Sequence, residues 1–145
     1  MLTHRLRLVS ILAFALATTS TLNTPAIAET PAPDGAKVYF ISPQNGAEVT
    51  NPVSVKFGLS GMGVAPAGVD KPKTGHHHLL IDVDKVDMEN PLPADDNHKH
   101  FGGGQTEATI TLPPGKHTLQ LVLGDQNHVP HKPPVVSEKI TVTVK

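Results

Sequence analysis

The stretch TEATITLPPGKHTLQLVL, residues 106–123, decides the fold. Ala108, Ile110 and Leu112 alternate with polar neighbours. Pro113-Pro114-Gly115 then makes a tight turn, and Leu119, Leu121 and Leu123 resume the alternation. Apolar residues at every second position mark a strand with one buried face, and a Pro/Gly cluster punctuates two such strands. The stretch therefore predicts strands over 106–112 and 117–124, facing a common interior.

The same rhythm extends in both directions. Val53, Val55, Phe57 and Leu59 alternate through a strand over 53–59. A strand over 76–83 turns Leu79, Ile81 and Val83 inward, and one over 135–144 does the same with Ile140, Val142 and Val144. Residues 38–42 give the first strand, closed by the turn-forming Pro43-Gln44-Asn45-Gly46. No amphipathic helix is read after residue 28. Six or seven short strands with turns between them predict an all-β fold, an immunoglobulin-like β-sandwich of about seven strands. A small Greek-key barrel is the alternative. The connection 84–105 is too long for a featureless loop and is expected to hold an edge strand or a functional segment.

His117 stands just after the Pro-Pro-Gly turn. Immunoglobulin-like domains place there a Tyr whose hydroxyl bonds back to the preceding turn. His117 is therefore given a structural role.

The N-terminus reads as an address. His4, Arg5 and Arg7 precede a short apolar stretch, Leu8–Ala17, and Ala26-Ile27-Ala28 has the small-x-small form of a cleavage site. Residues 1–28 are expected to be a signal peptide, 29–36 a flexible Pro-rich leader, and 37–145 a single β-sandwich domain. The apolar stretch is shorter than the ~20 residues that span a bilayer. The product is expected to be soluble, exported and periplasmic, with no membrane span after cleavage.

From residue 29 onward there are 10 Lys, no Arg and 13 acidic residues, a net charge of −3 with neutral His. That balance lacks the footprint of a nucleic-acid binder. Tyr39, Phe40, Phe57 and Phe101 are too few for a platform that stacks bases or sugars. The chain has no Cys, so neither a disulfide nor a thiolate metal site can form.

Histidine is where the sequence is rich. His76-His77-His78, His98-Lys99-His100, and the pair His128 and His131 form three clusters. Imidazole is the commonest metal ligand. In a sandwich of this topology, the loop before strand 76–83 and the loop after strand 117–124 share one end, and 98–100 returns to that end before 106. All three clusters then converge. Imidazoles with an occasional carboxylate suit Cu²⁺ or Zn²⁺. The expected ligands are His76, His78, His128 and His131. His77, His98, His100 and Asp125 are possible helpers, Asp125 as a ligand or as a group that orients one. The parity of the strand turns His76, His78 and Asp82 outward and His77 inward.

Each cluster also has a plain reading: surface imidazoles on a strand, a solvated charged loop, and a turn built on Asp125 and Asn127. Asp82-Val83-Asp84-Lys85-Val86-Asp87 lacks the glycine and the terminal glutamate of a calcium loop, so its charges read as solvated. Gly102-Gly103-Gly104 reads as a hinge. There is no G-x-S-x-G, no phosphate loop and no H-E-x-x-H.

The segments VYFISP (38–43), GMGVAPAG (61–68), GHHHLLID (75–82) and LPPGKHTLQLVLGDQNHVPH (112–131) resemble an uncharacterised bacterial family of exported proteins, known as a domain of unknown function. The resemblance covers nearly the whole of the chain after residue 28. It implies membership of that family and carries no catalytic role. Lytic polysaccharide oxygenases and periplasmic copper carriers are also exported β-sandwiches, but their copper ligands commonly include an N-terminal histidine amine. The expected terminus, Glu29, does not supply one, so the oxygenase reading is set aside.

These observations predict a periplasmic module that holds Cu²⁺ or Zn²⁺ at one end of a sandwich, its partners a metal ion and an envelope protein. The alternatives are an envelope structural or interaction domain without tight metal binding, and, last, a zinc-dependent hydrolase with Asp125 or Glu107 as its base. Loss of metal is expected as the pH falls below the ordinary imidazole value, ~6.5.

Overall fold

The structure is a computed structural model that describes residues 29–145. The signal segment expected over 1–28 lies outside the described residues. The described residues contain nine strands and no helix; none of their elements is therefore an apolar helix able to cross a membrane. In chain order the strands are β1 (Lys37–Ser42), β2 (Ala47–Val49), β3 (Val53–Ser60), β4 (Gly63–Val64), β5 (Thr74–Ile81), β6 (His98–His100), β7 (Glu107–Ile110), β8 (Gly115–Gly124) and β9 (Ile140–Val144).

The fold is all-β, two sheets packed as a sandwich. One sheet has three strands in the order β1-β3-β7. The other has the order β2-β9-β8-β5-β4, with β6 also paired to β5. Pairing is antiparallel except for β2 with β9 and β4 with β5.

The alternation read in the sequence is the alternation of the core. Val53, Val55 and Phe57 of β3 face Leu119, Leu121 and Leu123 of β8 and Val142 and Val144 of β9, all buried in one cluster. Burying one such side chain contributes about 1.5–3 kcal/mol, which fixes the register: a one-residue slip would turn the whole set to the other face.

Two strands were not legible: β2 and β4 are three and two residues long and carry no alternation to read. The edge strand expected within 84–105 is β6, three residues long. The last strand starts at Ile140 rather than Val135. Residues 135–137 do run along β8, with Leu123 N–H donating to Val135 O and Ser137 N–H to Leu121 O. But Leu121 N–H bonds to the Ser137 hydroxyl at 2.9 Å, so a side chain replaces a ladder carbonyl and the regular strand begins later.

The long connection 84–105 folds back over the outer face of β5 and β8. Leu92 packs there on Leu80 and Val122 in a second, smaller buried cluster. Its last part pairs with β5 as β6, with His78 opposite His100 and Leu80 opposite His98. The leader, read as flexible, is hydrogen-bonded in place. Ala32 N–H donates to Lys132 O, Lys132 N–H donates to Thr30 O, and the Thr30 hydroxyl donates to Asp125 at 2.6 Å.

Candidate metal centre

β5 supplies two rings. His76 and His78 are two positions apart on a strand, so both project from its outer face. That face is not solvent, as the parity suggested. His76 and His78 are 0% and 1% exposed, because β6, the 84–97 connection and the β8–β9 loop lie over it. β8 makes room underneath. Gly124 sits opposite His76, and a Cβ there would lie 2.9 Å from His78 Nε2 and 3.4 Å from His128 Cα. Only a residue without a side chain lets these rings settle on the β8 backbone.

β6 supplies the third ring. His100, exposed, has its centroid 5.0 Å from that of His76 and 5.1 Å from that of His78. It also leans on a glycine: a Cβ on Gly102 would lie 2.6 Å from His100 Nε2. The β8–β9 loop supplies the fourth. His128 has φ +68°, a left-handed conformation costing about 1–2 kcal/mol for a residue with a side chain.

Asp125 holds that loop. It is fully buried; one carboxylate oxygen accepts from Asn127 N–H at 2.8 Å and Val129 N–H at 3.0 Å, and the other accepts from Thr30. Its own carbonyl accepts from His128 N–H at 3.0 Å. Asp125 thus positions His128 and does not join the donor set.

His76 Nε2 lies 3.0 Å from His78 Nε2 and 3.1 Å from His128 Nδ1. One donor atom from each of His76, His78, His100 and His128 falls within 4.8 Å of all the others. These four rings could together hold a metal ion. Four nitrogens bound to one ion at 2.0–2.1 Å in a tetrahedron stand roughly 3.4 Å apart, so the closer pairs already have nearly that spacing. Without a cation the arrangement is frustrated. His76 Nε2 faces two other ring nitrogens, and a neutral imidazole has one N–H and one acceptor nitrogen. A cation lets all of these lone pairs point inward together. One feature departs from common practice. Metal-bound histidines usually donate their second N–H to a partner, but Nδ1 of His76 and of His78 is buried with none. Packing on Gly124 and on neighbouring rings orients them instead.

The environment favours neutral rings, the form that binds metal. Burial, with the positive charge that His100 and His128 would carry, pushes His76 down to about 4 against an opposing pull from Asp125. Burial and the His76, His100 and His128 rings push His78 down to about 3. His100 is lowered by burial and by His128.

Other residues singled out in the sequence lie elsewhere. His131 is not among the four. Its ring is buried between strands, Nε2 3.1 Å from Thr74 O and Nδ1 3.3 Å from Leu123 O, so both nitrogens face backbone carbonyls and it ties β5 to β8. His100, expected only as a possible helper, stands in the place expected for His131. His77 points to the opposite face, 5.1 Å from the Phe57 ring. Burial pushes it down to about 4, opposed by the nearby Gln105 backbone, which does not reach hydrogen-bond geometry, leaving both ring nitrogens unpartnered. His98 is held by Asp95 at 2.8 Å. His117 bonds back to the turn before it, Nε2 to Pro113 O at 2.8 Å, and Nδ1 pairs with Asp82 at 2.6 Å. Asp82, read as a solvated charge, also accepts from Thr118 N–H at 2.8 Å.

The fold and its cluster define an all-β sandwich domain with four converging imidazoles. Residues 55–145 match the family described as a domain of unknown function, DUF4399, and the chain belongs to that family. No curated protein and no solved structure matched the chain.

Proposed function

We propose that this domain is an envelope module that binds one divalent transition-metal ion, Cu²⁺ or Zn²⁺, through His76, His78, His100 and His128. The observation that carries the reading is the convergence of four imidazole donors, from three separate segments, within 4.8 Å. Two are buried, all come without thiolate or carboxylate, and nitrogen-only donor sets suit these ions. The basic start, apolar stretch and small-x-small site at residues 1–28 support export to the envelope.

The donor set contains no carboxylate, and the oxygens of Asp125 are committed to Thr30, Asn127 and Val129. Nothing in the cluster is placed to act as the general base of a zinc hydrolase, so binding is favoured over hydrolysis.

Titration of residues 29–145 with Cu²⁺ and with Zn²⁺ at about neutral pH tests this. One equivalent bound with a Kd below about 1 µM is expected, and replacing His76 and His128 together by Ala should abolish it. Weaker binding of both ions by the intact domain would overturn the proposal and favour a domain that acts only through protein contacts.

A further inference from the structure

The four rings are unequal in burial, and the inequality has a direction. His76 and His78 are fixed on an eight-residue strand that is paired on both sides and are closed to solvent. Beneath them is the β8 backbone at Gly124. Beyond His78, further along β5, the outer face is sealed by Leu80, Val122 and Leu92. Leu92 N–H also donates to His128 O at 2.9 Å, closing the cover down on the loop. His128 is partly buried, and the most open side is His100. It is exposed and sits on a three-residue strand that is bonded to β5 alone. Gly102-Gly103-Gly104 follows it. A recess of about 360 Å³, bounded by Lys99, His100, Phe101, Thr109 and Thr111, opens against that strand.

Resting on the metal-binding reading above, we propose that the ion is cargo and not a resident cofactor. It enters and leaves by ligand substitution at His100. His76 and His78 form the fixed half of the site. His100, and after it His128, form the replaceable half. An incoming donor, an imidazole or a thiolate of a partner protein or a small chelator, bonds to the ion at the exposed position that His100 gives up. The number of bonds to the ion is kept, its oxidation state does not change, and no protein unfolding is required. A site whose every ligand lay on buried strands would have to open the sandwich to release its ion, a rare event on the scale of local unfolding.

The two routes differ in rate law. The domain loaded with Zn²⁺ is mixed with increasing excess of a chromogenic chelator, and the release rate is followed. Substitution at an exposed ligand predicts a rate that rises in proportion to chelator concentration. It also predicts that His100→Ala speeds release at least about tenfold while one equivalent still binds at loading concentrations, whereas His78→Ala removes tight binding. As a check on folding, each variant is compared with the parent by thermal unfolding in chelator. A release rate independent of chelator concentration, or one unchanged by His100→Ala, overturns the exchange route while leaving metal binding intact. Failure of the parent domain to load with Zn²⁺ or Cu²⁺ overturns the metal-binding reading itself and, with it, the exchange.

Discussion

His76 Nε2 and His128 Nδ1 lie 3.1 Å apart although the residues are separated by 52 positions in the chain. Neither ring gains a second good partner from this contact alone, and the left-handed backbone at His128 must be held against its own preference. A shared ion gives the contact its reason. Replacing either ring by Ala should lower metal affinity at least about a hundredfold, the upper end of the loss seen when a group that only orients a ligand is removed. The double variant should lose less than the product of the two single losses, since the residues share one ion. Calorimetric titration of the four proteins measures the coupling. His131→Ala, by contrast, should leave one equivalent bound, and its effect should appear as lower stability.

Gly124→Ala isolates the floor of the site. The added Cβ would press on His78 Nε2 at 2.9 Å and on His128 Cα at 3.4 Å, and neither neighbour can swing clear because both are packed. Overfilling of this kind costs about 1–3 kcal/mol. Urea unfolding in chelator should show that loss, and metal affinity should fall with it. Gly46→Ala is the control for adding a methyl at a glycine, since nothing lies within 4 Å of a Cβ there, although its φ of +82° adds a backbone penalty of its own.

The strands that were legible in the sequence are those whose burial is paid in apolar side chains. Val55, Leu119, Leu121, Leu123 and Val142 alternate, and each is 0% exposed. The metal centre was half legible for a related reason. Parity put His76 and His78 on one face and His77 on the other, which is where they are. Parity says nothing of what lies over a face. The cover comes from residues 84–105, a polar segment whose anchors are single apolar residues such as Leu92, and whose strand is His98-Lys99-His100. A three-residue strand of polar side chains takes its pairing from the open edge of β5, and no local pattern announces that. The choice of His100 over His131 followed from the same loop path. His131 has a clear structural use in the sheet, and its neighbour Gly75 leaves space for it: a Cβ there would lie 2.9 Å from the His131 ring.

The buried rings set a pH dependence for the metal-free domain. In the unfolded chain an imidazole titrates near 6.5. In the folded chain His76 and His77 are pushed down to about 4 and His78 to about 3, chiefly by burial. Between those values the unfolded state binds more protons, so stability is full above about pH 6.5 and falls as the pH drops toward 4. Unfolding midpoints in chelator at a series of pH values should show the decline. The same shifts move metal loss to lower pH than the unperturbed imidazole value suggests. The two buried ligands stay deprotonated at about pH 5.5, so binding should persist there.

His77→Phe should stabilise the metal-free domain. Both ring nitrogens of His77 are buried without a partner, and the ring already packs on Phe57, which in turn contacts Phe101 at a centroid distance of 5.0 Å. Exchanging an unsatisfied polar ring for an apolar one of similar shape removes a desolvation cost of about 1–3 kcal/mol, less whatever strain the slightly larger ring brings. The gain should grow as the pH falls from about 6.5 toward 4, where the parent's unfolded chain takes up a proton at His77 that its folded chain does not, and be largest at the acid end. Thermal unfolding of parent and variant across that range measures it, and equal stability at every pH would show that His77 carries no such cost.

His117 should behave in the opposite sense. Its bond to Asp82 raises its proton affinity, outweighing burial and helped by Pro113 O. Asp82 is lowered in turn, because the bonds from His117 and Thr118 overcome the effect of burial. The pair joins the end of β5 to β8 and closes the Pro-Pro-Gly turn, at a residue, Asp82, whose φ is +56°. A group whose folded affinity for protons is raised contributes fully below its unfolded value, near 6.5, and loses that contribution as the pH rises through its folded value. His117→Gln should therefore cost about 1–2 kcal/mol at mildly acidic pH, the scale of one charge-assisted hydrogen bond at a partly exposed site, and less in alkali. Metal affinity should not change, because His117 is hydrogen-bonded at the turn and is not among the four donors. Urea unfolding of parent and variant at about pH 5.5 and 8.5 reads the first effect and metal titration the second. A pH-independent loss would mean that the ring acts by packing alone.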